Sequence, residues 1–147
     1  MKDAVTDALK SHGVDSITRI IPTGCMGLCS RGPLLRVEIK GQEPVLYQEL
    51  KPLVARLIVA EHIVPALPLA GGEKFKMPEF LTQHPLSLHL PFFTKQEKVV
   101  LAKAGRVNPE SIDDYIAMGG YQSLEKALQM CTEALSNEIK LSGLRGR

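Results

Sequence analysis

A dense run of prolines divides this chain and limits what it can fold into. Residues 62–93 hold five prolines together with the pair Gly71-Gly72. Proline lacks a backbone donor and restricts the residue before it, so this density disfavours a long helix or a long strand. We therefore expect an extended connector that lies across the protein surface, with separate folded segments on either side of it.

The segment before the connector, residues 1–61, has the pattern of a small α/β domain. Apolar residues recur at helical spacing in residues 3–12 and again in residues 50–61. Gly13 follows the first of these runs and is a natural helix stop. Between the two helices, β-branched and apolar runs predict three strands, at residues 17–21, 34–39 and 45–47. The predicted order is therefore α-β-β-β-α.

The segment after the connector, residues 94–147, returns to helical patterns. Thr94 and Glu97 have the spacing of a capping box, and Asn108 precedes a proline as at a further helix start. Helices are expected over residues 121–130 and 132–141, after a helix–helix corner at Gly119-Gly120. Cys131 shares helical spacing with several leucines, so we expect its side chain to be buried.

Two cysteines, Cys25 and Cys29, lie in a glycine-rich loop with the sequence PTGCMGLCSRGP. Two thiolates can supply half of a tetrahedral zinc site or the ligands of one iron in a [2Fe-2S] cluster. Glycines remove the side chains that would keep backbone N–H groups away from the cluster sulfurs. Zinc knuckles more often leave two residues between their cysteines, whereas this loop leaves three. The pattern therefore favours an iron–sulfur loop.

Three alternatives for this cysteine pair stay open at the level of the sequence. The two thiols could form a disulfide, although a reducing compartment disfavours one. They could form half of a zinc site completed by histidines, although the four histidines show no ligand-like pairing: His12, His62, His84 and His89. They could also be an inert pair packed as small apolar side chains, since buried free cysteine is common.

Composition and charge exclude several classes of function. The net charge of +2 and the aromatic content of 5% without tryptophan argue against a nucleic-acid partner. The first residues carry acids where a signal peptide would need a cationic and then an apolar run. The longest apolar stretch, residues 63–70, is short and broken by prolines, so no transmembrane segment is expected. A cytoplasmic protein is the expectation.

Longer stretches resemble a known family. GCMGLCSRGPLLRV resembles the second cysteine pair of thioredoxin-like [2Fe-2S] ferredoxin domains, and YQELKPLVARLIVAEHI resembles the closing helix of that domain. GRVNPESIDDYIAMGGYQSLEKAL is similar to the first part of the flavin-carrying, NADH-oxidising subunit of complex I, NAD-reducing hydrogenases and NAD-dependent formate dehydrogenases. LSGLRGR resembles the approach to the glycine-rich nucleotide loop of that subunit.

The resemblance implies a fold and a set of ligands. The fold would be α/β, with a partial thioredoxin-like domain over residues 1–61, a proline-rich linker over 62–93, and over 94–147 the helical segment that leads into the NADH- and flavin-binding domain. Cys25 and Cys29 would ligate one iron of a [2Fe-2S] cluster. Gly146 and Arg147 would begin the nucleotide-binding loop. The other cluster ligands and most of the FMN and NAD sites would lie beyond this stretch, which resembles a subunit cut at both ends.

The implied function is electron transfer. The chain would be a fragment of an NADH-dependent oxidoreductase subunit that relays electrons through an iron–sulfur centre between a flavin and partner subunits. Its partners would be the other electron-transfer subunits, in the cytoplasm or at the periphery of a membrane complex. No residue is assigned a catalytic role, because no complete active site is recognised. The alternative is a non-catalytic remnant that only docks onto a partner through its helical half.

Overall fold

The structure is a computed structural model that describes residues 1–67 and 76–146. Gly71-Gly72 of the expected connector and Arg147 of the expected nucleotide loop lie outside the described residues. The chain begins with helix α1, Lys2–Ser11, whose buried face is formed by Ala4, Val5, Ala8 and Leu9. This helix agrees with the sequence prediction for residues 3–12.

Gly13 ends helix α1 as predicted. Its φ of 65° lies in the left-handed region, which glycine adopts without the steric penalty that a Cβ brings. The Gly13 N–H donates to the carbonyl of Lys10 and the Val14 N–H donates to that of Leu9, each at 3.0 Å. These two bonds are the Schellman pattern, and the buried Val14 adds the apolar contact that accompanies it.

A three-stranded antiparallel sheet follows. Its strands are β1 (Leu35–Val37), β2 (Val45–Tyr47) and β3 (Pro85–Leu86), in the spatial order β1-β2-β3. Leu35 pairs with Tyr47 on one side of β2, and Pro85 pairs with Tyr47 on the other. The predictions of strands within residues 34–39 and 45–47 are confirmed. The third strand comes from the proline-rich stretch, where we expected an extended connector.

A continuous helical run covers the sheet. Helix α2, Pro52–Ile58, passes through a π-helical turn, Val59–Ile63, into the short helix α3, Val64–Ala66. Pro65 has no N–H to donate to the preceding turn, and a widened turn is a known way to accommodate such a missing bond. The helix therefore continues to Ala66, beyond the residue 61 at which the first segment was expected to end.

The core lies between α1, the helical run and the sheet. One cluster joins α1 to α2 and the π-helical turn, and a second joins the sheet to α2 and Leu81. The largest fully buried side chains are those of Tyr47, Leu46, Ile58, Leu81 and Val59. All of these lie in residues 1–67 or in the stretch around β3, so that stretch belongs to the first folded unit.

The rest of the chain is helical but sparsely packed. It contains α4 (Pro91–Thr94), α5 (Ile112–Ala117), α6 (Gln122–Leu128) and α7 (Thr132–Leu141). Within the described part of residues 94–147, Val107 is the only large apolar residue that is buried. Leu128 and Leu141 are 78% and 85% exposed. No helix within the described ranges is long and apolar enough to span a bilayer.

Several sequence predictions are wrong within the described residues. Ile17–Ile21 is not a strand, because a 3₁₀ turn at Asp15–Ile17 leads into a segment that has no pairing partner. Thr94 ends helix α4 and its Oγ1 donates to Leu90 O, so it caps no following helix. Cys131 is exposed because it lies just before α7, outside the helical register that placed it among leucines.

The start of α5 is set by a different residue from the one predicted. Ser111 is the N-cap, and its Oγ accepts a hydrogen bond from Asp114 N at 3.2 Å. Asn108 instead closes the turn before it, since its Oδ1 accepts from Glu110 N. The glycine corner is confirmed at Gly119-Gly120, where a Cβ on Gly120 would overlap the Tyr115 ring. Helix α7 has the predicted bounds.

A buried polar pair holds the helical run to the sheet. The Tyr47 hydroxyl and His62 Nδ1 are 2.8 Å apart, and both side chains are almost fully buried. Burial lowers the pKa of His62 to about 4 and raises that of Tyr47. His62 is therefore neutral in the folded protein over the pH range in which an unfolded histidine becomes charged.

Acidification should destabilise the protein through His62. Between pH 6.5 and pH 4 the unfolded histidine binds a proton and the folded one does not, so the free energy of unfolding falls as the pH falls, by up to about 3 kcal/mol. Urea denaturation at pH 7.5 and at pH 4.5 measures this loss. A His62→Gln variant should lose less between the two pH values, whereas His12→Gln, at an exposed position, should behave as the parent does.

Candidate metal centre

The two cysteines of the glycine-rich loop present their sulfurs together. Cys25 Sγ and Cys29 Sγ are 3.9 Å apart, and both residues are exposed. Two sulfurs bound to one tetrahedral metal at about 2.3 Å would stand about 3.8 Å apart. A disulfide would require about 2.05 Å. The geometry therefore suits two ligands of a single metal ion, and the exposure contradicts the alternative of an inert buried pair.

The loop between the cysteines turns its backbone toward sulfur. The Gly27 N–H donates to Cys25 Sγ at 3.3 Å, so this sulfur is contacted by a backbone donor. Gly27 has a φ of 88°, a conformation that residues with a Cβ rarely adopt. Gly24, by comparison, has an ordinary φ and open space around its Cβ position. Of these two glycines, Gly27 is the one that the loop requires.

The exit side of the loop is firmly attached to the sheet. Cys29–Arg31 forms a 3₁₀ turn, after which Arg31 O accepts from Glu49 N at 2.9 Å and Pro33 O accepts from Leu50 N at 3.3 Å. The Arg31 guanidinium also pairs with the Glu49 carboxylate at 3.1 Å. Glu49 has a φ of 52°, a strained conformation for a residue with a Cβ. These bonds are the interactions that offset this strain.

The loop also contacts the second half of the chain. A Cβ on Gly27 would lie 3.6 Å from the Phe92 ring, and one on Gly105 would lie 3.2 Å from the Met26 side chain. Arg19 Nη2 is 3.0 Å from Asp114 Oδ1, which links the segment before the loop to α5. Sequence reasoning missed these contacts and the Arg31–Glu49 pair, because no local pattern connects residues so far apart along the chain.

The described residues do not complete the ligand set. Among residues 1–67 and 76–146, no cluster of three or more His, Cys, Asp or Glu side chains is suited to a metal ion. Two of the histidines in the zinc alternative are engaged elsewhere, since His62 contacts Tyr47 and His84 Nδ1 lies 3.1 Å from Gln48 O. Gly146, expected to start a nucleotide loop, is exposed with open space at its Cβ position. Arg147 lies outside the described residues.

An open groove adjoins the cysteines. It has a volume of about 940 Å³, and its lining includes Cys25, Cys29 and Leu35. The two sulfurs thus border open space that could receive a ligand or another chain.

Comparison with known proteins finds partial matches to two longer proteins. No protein-family model matches the chain. A stretch of 53 residues, 36% of the chain, is 47% identical to the HndC subunit of the NADP-reducing hydrogenase of Solidesulfovibrio fructosivorans. A stretch of 49 residues, 33% of the chain, is 45% identical to a subunit of the NADH-quinone oxidoreductase of Aquifex aeolicus strain VF5. The matches cover 11% and 12% of these relatives.

These partial matches support the family of NADH-oxidising subunits that the sequence resembled. Both relatives are named as subunits of larger oxidoreductases. The chain matches only about a tenth of the length of each one. The relatives' names therefore describe much longer proteins than the stretch that is matched.

The paired thiols should bind a trivalent arsenical together. Phenylarsine oxide bridges two thiols that lie close in space, and sulfurs 3.9 Å apart need little movement to bind one arsenic atom. We expect one equivalent bound per chain, measured by intact mass. Cys25→Ser and Cys29→Ser should each abolish the bridged adduct, while Cys131→Ser should leave it unchanged. A bridged adduct that survives Cys25→Ser would contradict this pairing.

Gly27 and Gly24 make a matched test of the loop conformation. Gly27→Ala forces a Cβ into the left-handed region and should destabilise the loop by about 1–2 kcal/mol, weakening arsenical binding. Gly24→Ala adds the same methyl group where nothing lies within 4 Å and should have little effect. Equal affinities for the two variants would show that the backbone of Gly27 does not shape the site.

Proposed function

We propose that this chain is part of an electron-transfer subunit of an NADH-dependent oxidoreductase of the complex I or hydrogenase type, in which Cys25 and Cys29 bind one iron of a [2Fe-2S] cluster. One observation carries the proposal. Two exposed sulfurs stand 3.9 Å apart on an anchored glycine-rich loop. The partial match to a hydrogenase subunit gives that geometry its functional context.

The residues present fit half of such a cluster. The pair suits one tetrahedral iron, and each iron of a [2Fe-2S] cluster takes two protein ligands. The described residues hold no second pair beside the first. Two further donors would therefore come from outside the described residues.

The contribution of this chain is to hold and tune the iron. A [2Fe-2S] cluster, when bound, accepts and releases one electron at a potential that hydrogen bonds to its sulfurs help to set. The Gly27 N–H on Cys25 Sγ is such a hydrogen bond. The bonds from Glu49 and Leu50 to the loop exit hold the backbone that follows Cys29 before metal binds. FMN and NAD would be bound by other parts of the larger enzyme. The partners of this chain would be the other subunits of that enzyme.

A second candidate function is docking without redox chemistry. Many large apolar side chains between residues 99 and 144 are exposed, including Val99, Leu128 and Leu141. Exposed apolar surface of this extent is typical of a face that another protein covers. The two functions differ in their dependence on the thiols, because docking through the helices should be unaffected when Cys25 and Cys29 are both replaced by serine.

Anaerobic reconstitution tests the proposed cluster. With ferric iron, sulfide and dithiothreitol as the source of the second thiol pair, we expect iron and sulfide to bind in equal amounts and to give visible absorbance. Cys25→Ser should abolish this absorbance because the first iron then loses a ligand. Cys131→Ser is the matched control and should retain it. The same iron and sulfide content in a Cys25→Ser, Cys29→Ser double variant would contradict the proposal.

A further inference from the structure

Glu49, two residues after the end of β2, adopts a backbone conformation that glycine would adopt at lower cost. Its φ of 52° lies in the left-handed region. Among the described residues that carry a Cβ, only Glu49 and Tyr121 have a positive φ. Residues held in such a conformation cluster at functional sites, so the outlier raises the question of what the Glu49 side chain does.

The conformation lets two successive backbone groups reach the cysteine loop. Glu49 N donates to Arg31 O at 2.9 Å, and Leu50 N donates to Pro33 O at 3.3 Å. Successive N–H groups of a regular strand point to opposite sides, so two in a row on one side require an irregularity such as a β-bulge. Where the first residue of a bulge is left-handed, that residue is normally glycine.

The carboxylate of Glu49 is the group that a glycine would lack. Glu49 Oε1 lies 3.1 Å from Arg31 Nη1, and both side chains are about half exposed. An ion pair at this exposure contributes little to stability, whereas a left-handed backbone at a residue with a Cβ has a cost. A glycine would keep both backbone hydrogen bonds and avoid the strain. Stability alone therefore does not account for a glutamate at this position.

Arg31 belongs to the same turn as a cysteine of the pair. Cys29–Arg31 is a 3₁₀ turn, which Gly32 N closes by donating to Cys29 O at 3.3 Å. Glu49 holds Arg31 at two points, since its N–H donates to the Arg31 carbonyl and its carboxylate pairs with the guanidinium. One attachment would let the turn pivot, whereas two restrict its orientation. The orientation of the turn sets the direction in which the Cys29 side chain leaves the backbone.

We propose that Glu49 is a positioning residue for the Cys29 thiol and that it acts through Arg31. The ion pair restricts the turn so that the Cys29 sulfur stays beside that of Cys25, 3.9 Å away. This inference rests on the proposed function and deepens it, because it concerns the same thiol pair. Every contact that carries it joins described residues of this chain.

Phenylarsine oxide measures the thiol pair without iron. Its dissociation constant is determined by competition with dithiothreitol, and the urea midpoint of each variant is measured in parallel. Glu49→Gln should weaken arsenical binding by about threefold, the scale of an exposed ion pair, and should leave the urea midpoint nearly unchanged. Glu49→Gly should weaken binding as much, yet unfold at a urea concentration at or above that of the parent, because the backbone strain is relieved.

Variants of the partner separate positioning from charge. Arg31→Gln should weaken binding as Glu49→Gln does, whereas a direct effect of charge on the thiols would shift the two dissociation constants in opposite directions. The double variant Arg31→Glu, Glu49→Arg restores an ion pair and should recover most of the affinity. Asp7→Asn removes a similarly exposed pair, with Arg56, between α1 and α2, and this matched control should bind as the parent does.

The outcomes that would overturn the assignment are specific. Parental affinity in Glu49→Gly would overturn it, as would opposite shifts in Glu49→Gln and Arg31→Gln. A loss of affinity that follows a lowered urea midpoint in every variant would also overturn it, because the pair would then act only on stability. Iron takes no part in these measurements. A protein that binds the arsenical as expected but forms no cluster on reconstitution would therefore contradict the proposed function alone.

Discussion

Two backbone hydrogen bonds hold the cysteine loop to the sheet, and the geometry of the site depends on them. They run from Glu49 N to Arg31 O and from Leu50 N to Pro33 O. The residues that follow β2 therefore hold the residues at the exit of the loop. Leu50 is buried, which ties this junction to the hydrophobic core. The strained φ of Glu49 is tolerated where a backbone bond and an ion pair meet. The Cys29 side of the loop is therefore positioned by the fold before any metal binds.

The two sides of the loop are held very differently. Its exit is bonded to the sheet, whereas the segment before Cys25 has an extended form and no backbone partner within the described residues. Side-chain contacts alone hold that segment, through Ile20 on the core and Arg19 on Asp114. Such a segment opens at lower free energy than a paired strand.

Sequence patterns predicted the parts of the structure that local chemistry determines. Helix α1 with its Gly13 stop, the strands β1 and β2, and helix α7 all follow from periodicity and turn residues. The cysteine pair was recognised from its glycines, and its sulfurs lie together. The helix start predicted at Thr94 was wrong. Thr94 has the sequence signal of an N-cap, but in the structure it is the last residue of the short helix α4.

The remainder depends on contacts between distant residues. Strand β3 lies in a proline-rich stretch, where local rules disfavour strands, and it forms because the edge of β2 is available to it. The Arg31–Glu49 pair and the unpaired state of residues 18–26 likewise have no local signal. Cys131 was expected to be buried from spacing alone, but its half of the chain has few partners to bury it within the described residues.

The central claim is that Cys25 and Cys29 are ligands of the same iron. X-ray absorption spectroscopy at the iron edge, on protein loaded anaerobically with one equivalent of ferrous iron and no added thiol, tests it most directly. The account predicts two sulfur neighbours per iron at about 2.3 Å, with lighter atoms completing the tetrahedron. A first shell made only of oxygen and nitrogen, or one sulfur per iron, would contradict it.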